Sequence, residues 1–388
     1  MAPSSNNGKF VVTTPARSVC DDNARALENH GLLRFIALGT RKGTRGVPPE
    51  RTRLKPAIGL AAYIAARTLS SYHGESFRFR LHPWLDHWVK GQLTPGDHII
   101  SSYGYANACF RWVRKNGGKT FLDGGNSHPE NFWNVIAEEH RRWNCPYPPV
   151  GPHWKTRAVA MMEDVDYVLA PSTYVANSFL ERGFKKEQIL QNIYPVDLSC
   201  FSPSPEPRPR DRPLSLISTG SLSLRKGTPY LLEAFRLVSE KIPNVRLMLT
   251  SSIQESVFPI LKKYADLPID WAPSLPHAQL AERLRRADIF LLPSLEEGLA
   301  RTSLEALACG LPIIVTSHTG SNDFVVPETN GEVVPIRDPA AIAEAVFKWA
   351  DRILAPDWQP LRRFDTSLLS FERFEKAFIL QLQQIGLA

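Results

Sequence analysis

LLPSLEEGLARTSLEALACGLPIIVTS, residues 291–317, is the stretch whose reading decides the fold. Its first residues close the apolar run IFLLPS, and its end carries a second run, LPIIVT. Short apolar runs without alternation read as strands buried on both faces, the kind found in parallel sheets. Between the two runs lie a loop and a short helix. Thr302 stands where an N-cap belongs, and Gly310 stands where a left-handed C-terminal cap belongs. Strand, loop, helix, strand at this spacing is the repeating unit of an α/β sheet. The loop holds Glu296 and Glu297, and Glu305 follows one turn into the helix.

The open end of such a helix presents unbonded N–H groups and the positive end of the helix dipole, a setting for phosphate. A carboxylate before the helix and another inside it could each accept hydrogen bonds from hydroxyls on either side of that anion. This plan suits a nucleotide sugar, with ribose at one acid, diphosphate on the amides and sugar at the other acid. The residues also leave plainer readings open. Thr302-Ser303-Leu304-Glu305 is a capping box in which Glu305 serves only its own helix end. Glu296 and Glu297, taken alone, read more readily as a solvated loop pair.

Glu297, seven residues and Glu305 together resemble the Glu-x7-Glu signature of the retaining glycosyltransferases of family four, also called glycosyltransferase group 1. Pro293-Ser294, Leu304-Glu305-Ala306 and Ala308-Cys309-Gly310 agree with that signature as well. The resemblance implies the α/β GT-B architecture: two Rossmann-like domains facing a central cleft, with the last helix returning to the first domain. The expected division is residues 1–197 for the acceptor-side domain, a Pro-rich hinge at 198–213 (it holds SPSPEPRPRDRP), residues 214–360 for the nucleotide-sugar domain, and 361–388 for the returning segment. Strand runs at 214–219, 245–250, 269–272, 289–292 and 311–316, alternating with helical stretches, support a parallel sheet in the second half. In the first half, strands are expected at 10–14, 33–38, 98–102, 119–122 and 167–170. Helices are expected at 54–69 and 84–92, with Pro83 near the first turn of the latter. No GxGxxG follows the first strand, so a dinucleotide fingerprint is absent.

The second half opens on STGSLSLRKGTPYLLEAF, residues 218–235. Two adjacent cations before a helix suit a diphosphate, the guanidinium as a fork and the ammonium as a point charge. Without context the same residues are an ordinary charged surface turn. The segment is similar to the family's phosphate-binding G-R-L-x-x-x-K-G: Gly220, Leu222, Lys226 and Gly227 match, Ser221 replaces the family's Arg, and Arg225 offers a substitute charge. In the first half, DGGNSHPENFW, beginning at Asp123, resembles the family's D-R-G-S-x-H segment in part, with Asn126 departing from it. A lone His is ordinarily structural, but here the resemblance assigns His128 to the transferring sugar. It assigns Glu297 to the donor sugar and Glu305 to the ribose. It assigns Gly220, Ser221, Arg225, Lys226, Leu299, Ala300, Arg301 and Thr302 to the diphosphate. Ala300 replaces a family Gly, and a catalytically degenerate GT-B scaffold is the competing reading; a sugar-nucleotide epimerase is a further one.

The function so implied is retaining transfer from a nucleoside-diphosphate sugar, UDP- or GDP-linked, to a hydroxyl of a glycan, a lipid-linked acceptor or a small molecule. No obvious nucleophile is present, which fits a front-face mechanism, and the resemblance implies one that is metal-independent, with no cofactor beyond the donor. Composition sets the remaining bounds. With 388 residues, the chain is long enough for two cores. It has no run of some 18 apolar residues and no signal sequence at its start. Its five cysteines, at 20, 109, 145, 200 and 309, have no metal spacing and read as packing residues in a reducing, cytoplasmic setting. Net charge is +7, and no zinc-finger, RNP or helix-turn-helix pattern points to nucleic acid. The stretch RKGTRGVPPERTRLK (41–55) has six basic residues and one acid. It reads as an exposed loop, either simply solvated or a contact for an anionic acceptor or the inner membrane surface, with each cation adding about 1 kcal/mol.

Overall fold

The computed structural model describes residues 8–15, 18–39, 44–69, 71–145, 152–204, 209, 212–250, 252–355 and 364–388. Parts of the sequence readings lie outside the described residues: 41–43 of the basic stretch, 205–208 and 210–211 of the hinge, 361–363 of the returning segment, 1–7, 16–17, 40–43, 70 and 146–151 of the expected first domain, and 251 and 356–360 of the expected second.

Two parallel sheets organise the chain. The first holds β1 (Phe10–Thr14), β2 (Leu33–Leu38), β3 (Thr52–Leu54), β4 (His98–Ser102), β5 (Thr120–Asp123), β6 (Tyr167–Ala170) and β7 (Ile189–Gln191), in the order β3-β2-β1-β4-β5-β6-β7. The second holds β8 (Leu214–Thr219), β9 (Val245–Thr250), β10 (Ile269–Ala272), β11 (Ile289–Leu292), β12 (Ile313–Thr316) and β13 (Gly331–Val334), in the order β10-β9-β8-β11-β12-β13. Every residue of β1, β11 and β12 is buried, as central parallel strands require. In each sheet the order reverses beside the first strand, between β1 and β4 and between β8 and β11. The carboxyl ends at such a reversal leave a crevice for ligands.

The helices follow the strands: α1 (Cys20–Asn29), α2 (Pro56–Thr68), α3 (Ser71–Lys90), α4 (Asn107–Lys115), α5 (Pro129–Arg142), α6 (Pro152–Met161), α7 (Thr173–Leu180), α8 (Thr228–Lys241), α9 (Phe258–Leu261), α10 (His277–Arg286), α11 (Arg301–Ala308), α12 (Pro339–Leu354) and α13 (Phe371–Gln384). On α8, Leu231, Leu232, Ala234, Phe235 and Val238 form one buried stripe at helical spacing. With Trp349 of α12 and Leu216, Leu247 and Ile289 of the sheet, they make the core of the second unit.

The chain divides into two compact units. One comprises Met1–Asn134, Tyr147–Tyr194 and Phe374–Ala388; the other comprises Val135–Pro146 and Pro195–Arg373. The boundary therefore falls inside α5, which differs from a first domain running unbroken to 197. Glu139 explains why residues 135–146 belong to the second unit. Its carboxylate is fully buried and accepts from Trp143 Nε1 at 2.8 Å, Tyr230 Oη at 2.7 Å and Arg337 Nε at 2.7 Å. In the first unit, α13 buries Phe374, Phe378, Ile379 and Leu382. Its Gln381 side-chain amide bonds both the N–H and the C=O of Gln191 at 2.8 Å, standing in for a further strand on edge strand β7.

Two local expectations need correction. The basic stretch is not wholly loop: Thr52–Leu54 pairs with β2 as edge strand β3. Pro83 does not open a helix but lies inside the 20-residue α3. Proline removes a single N–H from the helical ladder, and the buried residues Leu81, Leu85 and Val89 hold the rest of α3 together.

Candidate donor site

The site in the second unit grows from the loops that leave β8 and β11. Gly220 has a φ of 106°, a left-handed value that lets the chain turn sharply after β8. The Thr228 hydroxyl accepts from the Ser223 N–H at 2.9 Å and donates to the Ser223 carbonyl at 3.0 Å, closing the turn that carries Arg225 and Lys226. Gly227 caps α8 with φ 68°, and a Cβ there would lie 1.9 Å from the Pro293 carbonyl oxygen. This close approach locks the basic turn against the loop after β11. The Leu295 N–H donates to the Arg225 carbonyl at 2.8 Å, tying the two loops together.

Both acids of that loop are buried, Glu296 fully and Glu297 nearly so, so the solvated-pair reading does not hold. Arg225 Nη1 donates to Glu297 Oε2 and to the Glu296 carbonyl oxygen, both at 2.9 Å. Lys226 Nζ donates to the same Glu297 oxygen. Burial alone would raise the Glu297 carboxyl, but Lys226 and Arg225 beside it bring it down to about 2. Burial likewise lowers the Lys226 ammonium, against the pull of Glu297. Two cations and two carboxylates thus sit ahead of α11, with Glu297 bonded to both cations and Glu296 Oε2 3.7 Å from Arg225 Nη1.

At α11 the capping-box reading is overturned. The helix begins at Arg301, its N-cap is Ala300, and no side chain caps it. Thr302 is therefore the second helical residue and cannot cap. The Ser303 hydroxyl bonds the Ala300 carbonyl at 2.7 Å and the Ser321 hydroxyl at 2.6 Å, a tertiary partner that fixes where the helix starts. Ala300 has φ −84°, open to any L-residue, so its backbone conformation does not call for glycine. The other end matches expectation. Gly310 has φ 84°, the Gly310 N–H donates to Leu307 and the Leu311 N–H to Ala306, together a Schellman cap.

Glu305 is 6% exposed, and its Oε2 has no hydrogen-bond partner among the described residues. Burial pushes its carboxyl up to about 7, with Arg301 pulling weakly the other way. A buried carboxylate oxygen with nothing donating to it is costly and rare in a core, and it is the group a ligand hydroxyl would satisfy. Leu299 is buried, while Ser221, Arg301 and Thr302 are half-buried in the same loops.

His128 belongs to the first unit, immediately before α5. Its Nδ1 accepts from the Glu130 N–H at 3.3 Å, so Nε2 carries the proton. Burial, and then nearby Arg182, lowers it to about 4, and it is neutral at physiological pH. Its ring packs edge-on to Phe179, centroids 5.2 Å apart. The Asp123 carboxylate at the end of β5 is buried and accepts from Cys20 Sγ at 3.0 Å.

One part of the second-unit site escaped the sequence reading. The segment after β12 pairs with the acidic loop: the Glu297 N–H donates to the His318 carbonyl at 3.0 Å, and the Gly320 N–H to the Glu297 carbonyl at 2.9 Å. The signal for it was the Ser-His-Thr-Gly-Ser sequence (317–321) directly after a predicted strand, where α/β sheets place their site loops. Among the described residues no group of three or more His, Cys, Asp or Glu is placed to hold a metal ion, and no helix is long and apolar enough to cross a membrane.

Residues 213–352 match the family model of glycosyl transferases group 1. WcaL of Escherichia coli strain K12, named for colanic acid biosynthesis, is 29% identical over 197 residues, which are 48% of this chain and 48% of that protein. The chain thus spans about half the length of the curated relatives it matches. Among solved structures, sucrose-phosphate synthase of Thermosynechococcus elongatus superposes with a TM-score of 0.70 at 19% identity, covering 97% of this chain and 99% of that one. HepE of Anabaena in complex with UDP superposes with a TM-score of 0.66 at 12% identity, covering 97% and 100%. These likenesses show the fold: the two-sheet α/β architecture is GT-B.

Proposed function

We propose, for a chain whose residues 213–352 form a glycosyl transferases group 1 domain within a GT-B fold, that it transfers a sugar from a nucleoside-diphosphate sugar to a hydroxyl acceptor with retention and without a metal. The observation that carries this reading is the arrangement at α11. Arg225 and Lys226 are held ahead of an uncapped helix start, and Glu305 keeps a buried carboxylate oxygen unpartnered one turn in. In this reading the diphosphate takes Arg225 and Lys226 from Glu297, and the free N–H groups of α11 near Arg301 and Thr302 complete its cradle. The ribose hydroxyls donate to Glu305. Glu297, released from the cations, accepts from hydroxyls of the sugar; the sequence resemblance gives the same sugar to His128 of the first unit, which is neutral and carries its proton on Nε2.

The chemical step follows from the same groups. The bond between the anomeric carbon and the phosphate oxygen breaks, leaving its electron pair on the diphosphate. The acceptor oxygen bonds the anomeric carbon from the same face, and its proton passes to the departing phosphate oxygen. Arg225 and Lys226 stabilise the charge that grows on the leaving group, so catalysis rests on positioning and electrostatics. UDP is the first donor nucleotide to test, because the Anabaena neighbour was solved with it.

Calorimetry with UDP, GDP and ADP in EDTA tests the donor site. One nucleotide should bind, and Lys226→Ala should weaken it at least about tenfold, the scale of one lost charge-assisted hydrogen bond. Binding of none of the three would overturn the donor assignment. NMR of the product formed from the matching nucleotide sugar reads the anomeric configuration, and inversion would overturn the retaining mechanism.

A further inference from the structure

Six of the large apolar side chains exposed on the described surface fall on one helical pair. Leu60, Tyr63 and Ile64 lie on α2, Leu69 at its end, and Phe77 and Trp84 on α3. Tyr63 is 54% exposed, Ile64 51% and Trp84 70%. On α2, Ile58 and Ala65 are buried, while Ala57, Leu60, Ile64 and Thr68 form an exposed stripe on the neighbouring face, and Tyr63 is exposed on the far side. The helix is therefore apolar on both faces, and residues 56–66 carry no charge. A helix apolar all round is ordinarily buried in protein or lipid. On α3, Phe77, Arg80 and Trp84 form an exposed stripe at helical spacing.

Charge decides what covers this face. Residues 51–90 hold seven Lys and Arg against two acids, a formal +5 out of +7 for the whole chain. One of the acids, Asp86, is buried, accepting from the N–H groups of Ala108 and Cys109. Arg53 and Arg80 are exposed, and half-buried Lys55 stands at the start of α2. A second copy of the chain laid on this face would oppose like charges across the contact. An anionic bilayer meets both features, since cations pair with headgroups while Trp, Tyr and aliphatic side chains enter the interface. We propose that the α2–α3 face docks the protein on an anionic lipid surface. Leu60, Ile64 and Trp84 enter the interface, and Arg53, Lys55 and Arg80 meet the headgroups. The proposal is independent of the transfer reading.

Co-sedimentation of the full chain with phosphatidylglycerol–phosphatidylcholine vesicles tests it. Binding is expected to the anionic vesicles, to weaken in salt, and to be slight with phosphatidylcholine alone. Arg53→Gln/Lys55→Gln/Arg80→Gln should weaken it about 100-fold, close to fivefold per cation. Leu60→Ser/Ile64→Ser/Trp84→Ser should weaken it at least about tenfold. Leu354→Ser, at an apolar position 51% exposed in the second unit, should change nothing. Quenching of the wild type by brominated lipid, diminished in the milder Trp84→Phe, reads the same contact should the triple variants fold poorly. No binding to anionic vesicles would overturn the proposal, as would binding that survives both triple variants. So would a dimer, or a complex with an acidic protein, that the apolar variant dissolves while vesicles are ignored.

Discussion

Replacing Glu305 by glutamine should stabilise the protein at alkaline pH and weaken its nucleotide binding, and the size of the first effect follows from the structure. The carboxyl lies at about 7 instead of 4.5, because burial disfavours its charge and Arg301 compensates only weakly. A carboxyl whose folded value lies above its unfolded one binds protons more tightly when folded. Its contribution is full below pH 4.5 and is lost as pH rises through 7. The distance from 4.5 to about 7 corresponds to about 3 kcal/mol. Glu305→Gln keeps the shape and removes the charge, so urea unfolding at pH 8 should show the variant more stable by about that amount. At pH 4 the two proteins should be nearly equal, and the comparison of two otherwise identical chains cancels every other titrating group. The same group links to ligand binding. Ribose hydroxyls donating to Oε2 favour the ionised carboxyl, so wild type should release about half a proton more than the variant on binding at pH 7. Calorimetry in buffers of different ionisation enthalpy measures that difference. Equal stability of the two proteins at pH 8 would refute the buried, unpartnered carboxyl. Equal proton release would refute its role toward the nucleotide.

Lys226→Ala should cost about 3 kcal/mol at pH 7, because it leaves the buried Glu297 with Arg225 as its one cation among the described residues; an unchanged urea midpoint would count against the ion-pair geometry. Gly227→Ala should be far worse than Gly31→Ala. Both residues have left-handed φ, but only at Gly227 does a Cβ meet backbone, so Gly31→Ala should cost about 1 kcal/mol and Gly227→Ala should fail to reach a native thermal transition. His128→Asn should lower kcat about 100-fold by removing one hydrogen-bond donor. Since His128 stays neutral above about 4, wild type and variant should share one pH profile between 5 and 8; an inflection near 6.5 in the wild type alone would contradict its buried, neutral state.

Reading the chain from sequence works best where a local rule and the tertiary structure agree. Gly310 is an example, since only a left-handed residue completes the Schellman cap after α11. The reading fails where a distant partner intervenes. Thr302 looks like a cap, but Ser303 finds Ser321 and the helix starts two residues earlier than a Thr302 cap allows. β13 was missed because Gly331 opens a four-residue strand that depends on close backbone contact with Ile313, whose carbonyl oxygen lies 2.1 Å from where a Cβ would be. In sequence, Pro83 reads as the opening of a helix at 84–92, because a local breaker outweighs there the buried side chains that carry α3 through it.

Strand and helix periods, the capping glycine, the adjacent cations and the paired acids are local patterns, and local chemistry sufficed to place them in an α/β chain with a phosphate-directed loop. The partners of those acids were not local. That Arg225 and Lys226 reach Glu297 depends on Gly227 meeting Pro293 across two loops about seventy residues apart in sequence. That Glu305 is left without a partner depends on the burial of α11. Likewise, α2 reads as an apolar helix in sequence, but only the folded chain shows that its outer face remains uncovered. Charge and apolarity are properties of residues; burial and pairing arise from the packing around them, and these decide which carboxyl is depressed, which is raised and which surface is left to meet a partner.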